Sequence, residues 1–170
     1  DMPKNIIRTI YEDRTGKIWI GSDGGMYKLN ANKEEKELYS NDINRPNTIS
    51  KNGIYAIYED QNDNICLGIW GKGVNLLKSE EINKSQGEAN FERLSDYSFS
   101  SRNVWDIGED NYGDLLFATN KGLEIYNPHN NSIKHLCDYD VSSLYWDNKG
   151  DLWVSTFGNG VLKYNQSIDT

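Results

Sequence analysis

Residues 11–25 read YEDRTGKIWIGSDGG, a charged turn that leads into an apolar segment around Trp19 and ends in glycines. The pattern recurs when the chain is aligned on four aspartates, and the copies follow one another at uneven intervals of roughly forty residues, a period typical of modular repeat folds with variable loops. The aligned residues are Asp13, Asp60, Asp110 and Asp147. The chain is therefore read as four copies of one unit.

Each copy begins with a short apolar segment that ends at the aspartate. Apolar residues stand three and six places before it, and because these positions differ in parity, a regular strand would point them to opposite faces. A strand that is apolar on both faces lies between two packed layers. The segments are too short and too rich in β-branched and aromatic residues for helices. The two sets are Ile10, Ile57, Ile107 and Leu144, and Ile7, Ile54, Val104 and Val141.

A tight turn follows each aspartate. DRTG, DNYG and DNKG place Asp first and Gly fourth, which is the preference of a type I turn. The second copy, DQNDN, lacks the glycine and must use Asp63 or Asn64 there. We expect the aspartate to cap the turn, and the glutamate before it in three copies to be a solvated charge at the strand end. A paired-carboxylate site for acid–base chemistry or calcium is the less favoured alternative.

Two further strands complete the unit in all copies, and a weaker fourth strand follows in the first three. Small residues recur eight places after the aspartate, at Gly21, Gly68, Ala118 and Ser155, which indicates close approach of another backbone. Four short strands per radial repeat predict an all-β fold of β-propeller blades, and a linear solenoid is the rival. We expect one domain, 1–170, with blades at about 1–47, 48–97, 98–138 and 139–170, belonging to a larger propeller.

Composition excludes several functions. The net charge of −8 argues against a nucleic-acid partner, and no apolar run is long enough to span a membrane, so no direct membrane contact is expected. His129 and His135 are too few for a zinc cluster, and neither a Gly-x-Ser-x-Gly elbow nor a phosphate-binding Gly-Lys-Ser/Thr occurs. We therefore expect no catalytic residue, cofactor or metal. Cys66 lies in an apolar run and is expected to be a buried thiol, whereas Cys137 could pair or stay free.

The repeat resembles the two-component regulator propeller repeat. IYEDRTGKIWIGSDGGMYKLN (10–30) is similar throughout, with Ser22 where that family has Thr. LYWDNKGDLWVSTFGNGVLKYN (144–165) keeps Trp153 but has Ser155 for a glycine, 107–127 lacks the Trp, and 57–77 lacks both Trp and Thr. The resemblance implies a periplasmic sensor region of a hybrid histidine kinase, with the parent protein anchored in the inner membrane. It assigns no kinase activity to this chain.

Topology predicts where a ligand would bind. In an antiparallel blade, the loop between strands two and three and the linker to the next blade share one face, and the Asp-x-x-Gly turns lie on the other. Because the first face varies between copies, we expect the ligand there. Its candidate binding residues are Asn52, Trp70, Lys72, Arg102, Asn103, Asn120, Phe157 and Asn159. Trp70 and Phe157 could equally pack blade against blade. Arg8, Tyr55 and Trp105 share one first-strand position and are expected to line the core or channel.

Aromatic rings beside Asn, Lys and Arg suit a sugar or an acidic sugar. The predicted function is thus a sensor segment that recognises an oligosaccharide and signals through domains outside the chain. Its other partners would be the remaining propeller blades or a second copy of the chain, covering the open edges. The alternatives are a propeller enzyme of the polysaccharide lyase or lactonase type, using an axial carboxylate such as Asp106, and a purely structural scaffold.

Overall fold

The computed structural model describes residues 5–32, 34, 36–85, 87–94 and 99–164. These residues form four antiparallel sheets and one short 3₁₀ helix, Ser79–Glu81. Sheet 1 contains β1 (Ile7–Glu12), β2 (Ile18–Ser22), β3 (Gly25–Leu29) and β4 (Lys36–Tyr39). Sheet 2 contains β5 (Ile54–Glu59), β6 (Ile65–Ile69), β7 (Gly73–Leu77) and β8 (Phe91–Arg93). Sheet 3 contains β9 (Val104–Glu109), β10 (Leu115–Thr119), β11 (Gly122–Asn127) and β12 (Ser132–Cys137). Sheet 4 contains β13 (Val141–Trp146), β14 (Leu152–Thr156) and β15 (Val161–Tyr164).

The strands of every sheet follow the chain order, and the first strands of consecutive sheets contact each other. This is the arrangement of propeller blades around an axis, and it confirms the predicted fold class. The register is also shared, with Ile10 opposite Ile20 in sheet 1 and Ile57 opposite Leu67 in sheet 2. Three apolar clusters fill the space between sheets 1 and 2, sheets 2 and 3, and sheets 3 and 4.

One expectation about the first strand is wrong. Ile54 and Ile57 do not point to opposite faces, because both lie in the cluster between sheets 1 and 2. The pairing shows why: Ile54 is opposite Ile69 and Ala56 is opposite Gly68, so Tyr55 is an extra, bulged residue that reverses the alternation. The second face of β5 is instead covered through Ala56, which lies in the cluster between sheets 2 and 3.

The small residues of the second strands lie where the next sheet comes close, as predicted. A Cβ atom on Gly21 would lie 2.9 Å from the carbonyl oxygen of Ile54. On Gly68 it would lie 3.1 Å from the carbonyl oxygen of Val104. A larger side chain at either position would therefore separate two blades.

The aspartate turns also form as predicted. Both the backbone N–H of Thr15 and that of Lys17 donate to Oδ1 of Asp13, at 2.9 and 3.0 Å. The fourth turn residue has φ near +80° in the glycine-containing copies, and in the second copy Asp63 takes this role with φ +60°. Asp is one of the few residues that tolerate this conformation, which explains how DQNDN dispenses with glycine.

The glutamates before these aspartates correct a second expectation. Glu59 is buried and accepts a hydrogen bond from the backbone N–H of Arg14 in sheet 1, at 2.9 Å. Glu109 accepts in the same way from the backbone N–H of Gln61 in sheet 2, at 2.8 Å. Each carboxylate thus satisfies a turn donor of the preceding blade, so these residues join sheets rather than solvate a strand end. Glu12, in the first sheet, is exposed.

Sheet 4 uses a different contact at this position. Trp146 replaces the glutamate, and Gly108 of sheet 3 replaces the tyrosine of the first two copies. A Cβ atom on Gly108 would lie 2.3 Å from the Trp146 ring. The large residue and the small residue therefore complement each other across the interface.

The cysteines are unpaired. Cys66 is fully buried, and burial raises the pKa of its thiol well above the usual value, as expected for an unreactive core residue. Cys137 is half-buried and free.

Candidate functional site

A row of aromatic side chains crosses the face that carries the β2–β3-type loops. Tyr55 and Trp105 are the bulged residues of β5 and β9, and a bulge re-aims a side chain out of the normal alternation. Trp70 follows β6 and Phe157 follows β14. Ring centroids are 5.4 Å apart for Tyr55 and Trp70, 5.0 Å for Trp70 and Trp105, and 6.0 Å for Trp105 and Phe157. We call these four residues the aromatic row.

The row combines packing with exposure. Trp70 of sheet 2 and Phe157 of sheet 4 both contact Trp105 of sheet 3, so they do pack blade against blade. Nevertheless 38% of Trp70 and 58% of Phe157 stay exposed. The indole N–H of Trp105 is buried and has no hydrogen-bond partner among the described residues. The two rings therefore pack between blades and also keep an exposed surface, and their role in ligand binding stays a prediction.

Arg8 extends the row into sheet 1. It occupies the bulge of β1, the position of Tyr55 in β5, and its guanidinium lies 4.7 Å from the centroid of the Tyr55 ring. It donates two hydrogen bonds to Asp23, at 2.9 and 2.8 Å, and this contact lowers the pKa of the Asp23 carboxyl. The pair fixes a planar cation on a ring face at the edge of the row.

A cavity of about 430 Å³ opens between this ion pair and Trp70. Its lining contains the Arg8–Asp23 ion pair, one further lysine, two amide side chains and two aromatic rings. Such a lining can stack a ring and donate or accept hydrogen bonds at its edges. The lining residues are Arg8, Asp23, Asn41, Lys51, Asn52, Gly53, Tyr55 and Trp70.

Of the eight candidates predicted from the sequence, Asn52 and Trp70 line this cavity. Three amides are engaged within the protein. Oδ1 of Asn52 accepts from the N–H of Asn41 at 2.6 Å, Oδ1 of Asn103 from the N–H of Gly71 at 2.9 Å, and Oδ1 of Asn120 from the Ser101 hydroxyl. These amides hold the loops in place.

The remaining candidates lie outside the cavity lining. The backbone N–H of Gly73 donates to the carbonyl of Arg102 at 2.9 Å. The exposed residues Lys72 and Arg102 therefore lie on loops of sheets 2 and 3 that contact each other. Asn159 is exposed in the loop of sheet 4, where its N–H donates to the Thr156 hydroxyl at 3.0 Å. It shares that loop with Phe157.

Asp23, Asn41 and Lys51 also contribute side chains to the cavity lining but were not predicted from the sequence. Asp23 stands ten places after its aspartate, the position that Trp70, Asn120 and Phe157 hold in the other copies. That shared position was the available signal. Lys51 lies in the irregular linker before β5, where nothing in the repeat predicts a side-chain position.

A larger cavity, about 760 Å³, lies between sheets 2 and 3 towards their turns and outer strands. Its lining extends to Leu94, immediately before residues 95–98, which fall outside the described ranges. The smaller cavity is the better candidate, since it lies on the loop face and its lining includes Tyr55 and Trp70 of the aromatic row.

One protein-family profile matches two segments of the chain. The profile described as "two component regulator propeller" matches residues 1–24 and 135–158. Two segments of the chain, one in sheet 1 and one in sheet 4, are thus similar to that repeat. The second matched segment contains β13 and Trp153 of sheet 4, and the first contains β1 and Trp19 of sheet 1.

Several solved structures share this fold. The extracellular domain of a B. thetaiotaomicron protein assigned to the hybrid two-component systems matches all of this chain with a TM-score of 0.83 at 20% identity. A second such domain from that bacterium, assigned to a one-component system, matches 96% of the chain with a TM-score of 0.76 at 25% identity. The chain covers 23% of each of these structures, so it spans about a quarter of their length.

Two further similarities are to a binding protein and to an enzyme. An ommochrome-binding protein of Manduca sexta is 33% identical over 64 residues, which are 38% of this chain and 23% of that protein. Virginiamycin B lyase from Staphylococcus aureus matches 96% of this chain and 57% of its own length with a TM-score of 0.66 at 11% identity, which shows a shared fold alone.

The axial carboxylate named for the enzymatic alternative has a structural role here. Oδ2 of Asp106 accepts from the N–H of Leu144 at 2.8 Å and from the Ser143 hydroxyl at 3.0 Å. It therefore joins the first strands of sheets 3 and 4 of the propeller. Within the described part of the chain, no group of three or more His, Cys, Asp or Glu residues is placed to bind a metal, and no helix is long and apolar enough to cross a membrane.

Proposed function

We propose that this chain is the ligand-binding segment of the sensor propeller of a two-component system. It binds an oligosaccharide on the aromatic row, and the signal passes to domains outside the chain. The proposed location is periplasmic, in a parent protein anchored in the inner membrane. The observation that carries the proposal is the aromatic row, with Trp70 exposed beside a polar cavity.

The chemistry of the row supports a sugar ligand. A pyranose presents an apolar face that stacks on an aromatic ring and a rim of hydroxyls that need hydrogen-bond partners. Trp70 offers the ring, and Lys51, Asn52 and the Arg8–Asp23 pair surround it. The cavity volume of about 430 Å³ falls in the range of small-ligand sites, roughly 300–1,000 Å³.

Rigid support of the rings also favours binding. Tyr55 and Trp105 come from first strands, and the amide of Asn103 fixes the loop that carries Trp70 and Gly71. Rings held in place before the ligand arrives lose little conformational entropy on binding. The site therefore suits recognition of a small ligand by a preformed surface.

The same proposal includes protein partners at the two end sheets. The indole N–H of Trp153 donates to Asp147 at 2.9 Å, as that of Trp19 donates to Asp13 at 2.8 Å. Yet Trp19 is fully buried by sheet 2, whereas 38% of Trp153 is exposed. The exposed face of sheet 4, with Trp153 and Val161, fits a further blade of the same repeat, from the parent protein or a second copy.

Calorimetric titration with a panel of oligosaccharides tests the ligand proposal. We expect saturable binding without product formation, and Trp70→Ala should abolish it because the stacking ring is removed. Tyr112→Ala is the matched control, since Tyr112 is 74% exposed but lies in an aspartate turn. Binding that survives Trp70→Ala, or the appearance of cleaved products, would contradict the proposal.

A further inference from the structure

The cations near the aromatic row differ in their pairing. Arg8 is bound to Asp23. Lys51, Lys72 and Arg102, by contrast, have no ion pair with any described carboxylate. What sets these three cations apart from the other described cations without an ion pair, such as Lys17 and Lys149 at the turns, is their position near Trp70.

These three cations lie on adjoining loops. Nζ of Lys51 lies 3.9 Å from the point where a Cβ atom on Gly71 would be. Lys72 is the next residue, and the N–H of Gly73 is bonded to the carbonyl of Arg102. The loop 70–73 therefore contains Lys72 and Trp70, and it adjoins both Lys51 and Arg102.

The acidic groups concentrate at the opposite end of the sheets. The turn aspartates accept backbone N–H groups there, and Glu59 and Glu109 accept donors from the neighbouring turns. Carboxylates are therefore most numerous at the turn end, and Lys51, Lys72 and Arg102 lie at the loop end, on loops beside the aromatic row. A field with this direction attracts anions to the loop face.

We infer that the ligand is an anionic oligosaccharide, with one sugar ring on Trp70 and its acidic group on Lys51, Lys72 and Arg102. The inference rests on the proposed function and narrows its ligand class. Arg102 supplies a planar donor pair that matches a carboxylate or a sulfate ester, and the lysines supply point charges. A carboxylate and a sulfate ester would both accept these hydrogen bonds, and the probes below distinguish the two groups.

Four probes test the inference on the 170-residue chain by calorimetry. They are tetragalacturonate, its fully methyl-esterified form, a sulfated disaccharide of a glycosaminoglycan, and neutral maltotetraose. We expect tetragalacturonate to bind at least about tenfold more tightly than its ester and to weaken as salt is raised, because its acidic groups are screened. Tight binding of the sulfated probe alone would assign the acidic group as a sulfate ester.

Variants provide the second readout. Lys72→Gln combined with Arg102→Gln should lower the affinity for the anionic probe about tenfold and leave the affinity for maltotetraose unchanged. Lys149→Gln, an exposed residue in the turn of sheet 4, is the matched control and should change neither. Equal binding of the ester and the acid would overturn the inference while leaving sugar recognition intact. Absence of binding by all four probes and by the wider panel would overturn the proposed function as well.

Discussion

The two ends of the propeller sheets treat their polar groups differently. At the turn end, Asp13, Asp60, Asp110 and Asp147 repeat one pattern and accept backbone donors within their own turns. At the loop end, the residues ten places later are Asp23, Trp70, Asn120 and Phe157, and no two are alike. Repetition with satisfied hydrogen bonds marks the scaffold, whereas variation between copies beside the aromatic row marks the candidate binding surface.

The largest expected effect is at the turn end. Asp13→Ala removes the acceptor of the buried Trp19 indole and of two backbone N–H groups, and should lower the free energy of unfolding by about 2–4 kcal/mol. Asp147→Ala removes the same bonds beside an exposed tryptophan and should cost clearly less, because water can replace them. Urea denaturation measures both. If the two variants lose the same free energy of unfolding, burial by sheet 2 does not strengthen the hydrogen bonds of Asp13.

The carboxylate that joins sheets 1 and 2 should come next. Glu59→Ala removes a buried acceptor and leaves the part-buried Arg14 N–H without its partner, and it should cost about 1–3 kcal/mol. Glu12→Ala, at the same repeat position in an exposed strand, is the control and should change stability by less than about 0.5 kcal/mol. If the two variants unfold at the same urea concentration, Glu59 does not stabilise the blade interface.

Acid should weaken the turn end through Asp13. Burial alone would raise its pKa, but hydrogen bonds from Thr15, Trp19 and Lys17 outweigh burial and the pKa is lowered. A carboxyl whose folded-state pKa is depressed stabilises the fold above its unfolded pKa, about 3.9, and loses that contribution as pH falls through the folded value. The free energy of unfolding of the wild type should therefore decrease as the pH is lowered below about 4. In Asp13→Asn it should depend less steeply on pH in this range. An unchanged slope in urea titrations at several pH values would contradict this account.

The smallest stability effects should be at the loop end. Trp70→Ala removes two ring contacts from a partly exposed side chain and should cost about 1 kcal/mol. Lys72→Gln should cost less than about 0.5 kcal/mol, since its side chain makes no ion pair with described residues. Thermal unfolding monitored by circular dichroism checks both. A loss from Trp70→Ala as large as that from Asp13→Ala would make Trp70 a core residue.

The sequence predicts the scaffold well because four copies repeat the same requirements. Turn chemistry predicts the aspartate caps and the left-handed residue of each turn, and small side chains predict the close approach at Gly21 and Gly68. The bulge in the first strand could not be read from the pattern, since an extra residue leaves apolar spacing plausible for a regular strand. Burial of Glu59 was missed because its partner, the Arg14 N–H, belongs to the preceding copy.

The candidate site was only partly predictable for a related reason. The loop face and Trp70 follow from topology and variation between copies. The ion pair between Arg8 and Asp23, and the position of Lys51, depend on contacts between irregular segments that carry no repeat signal. Gly108 and Trp146 likewise complement each other only across two neighbouring sheets, and neither residue alone suggests its partner.

We expect the ligand to bind the loop end and to leave the turn end unchanged, and the tryptophan indoles report on both ends. Trp70 and Trp105 belong to the aromatic row, whereas Trp19 and Trp153 donate to turn aspartates. The most direct test is a titration of the ¹⁵N-labelled chain with tetragalacturonate, followed through the indole N–H resonances. We expect the signals of Trp70 and Trp105 to shift to saturation while those of Trp19 and Trp153 stay in place. Saturable shifts confined to Trp19 or Trp153 would contradict it.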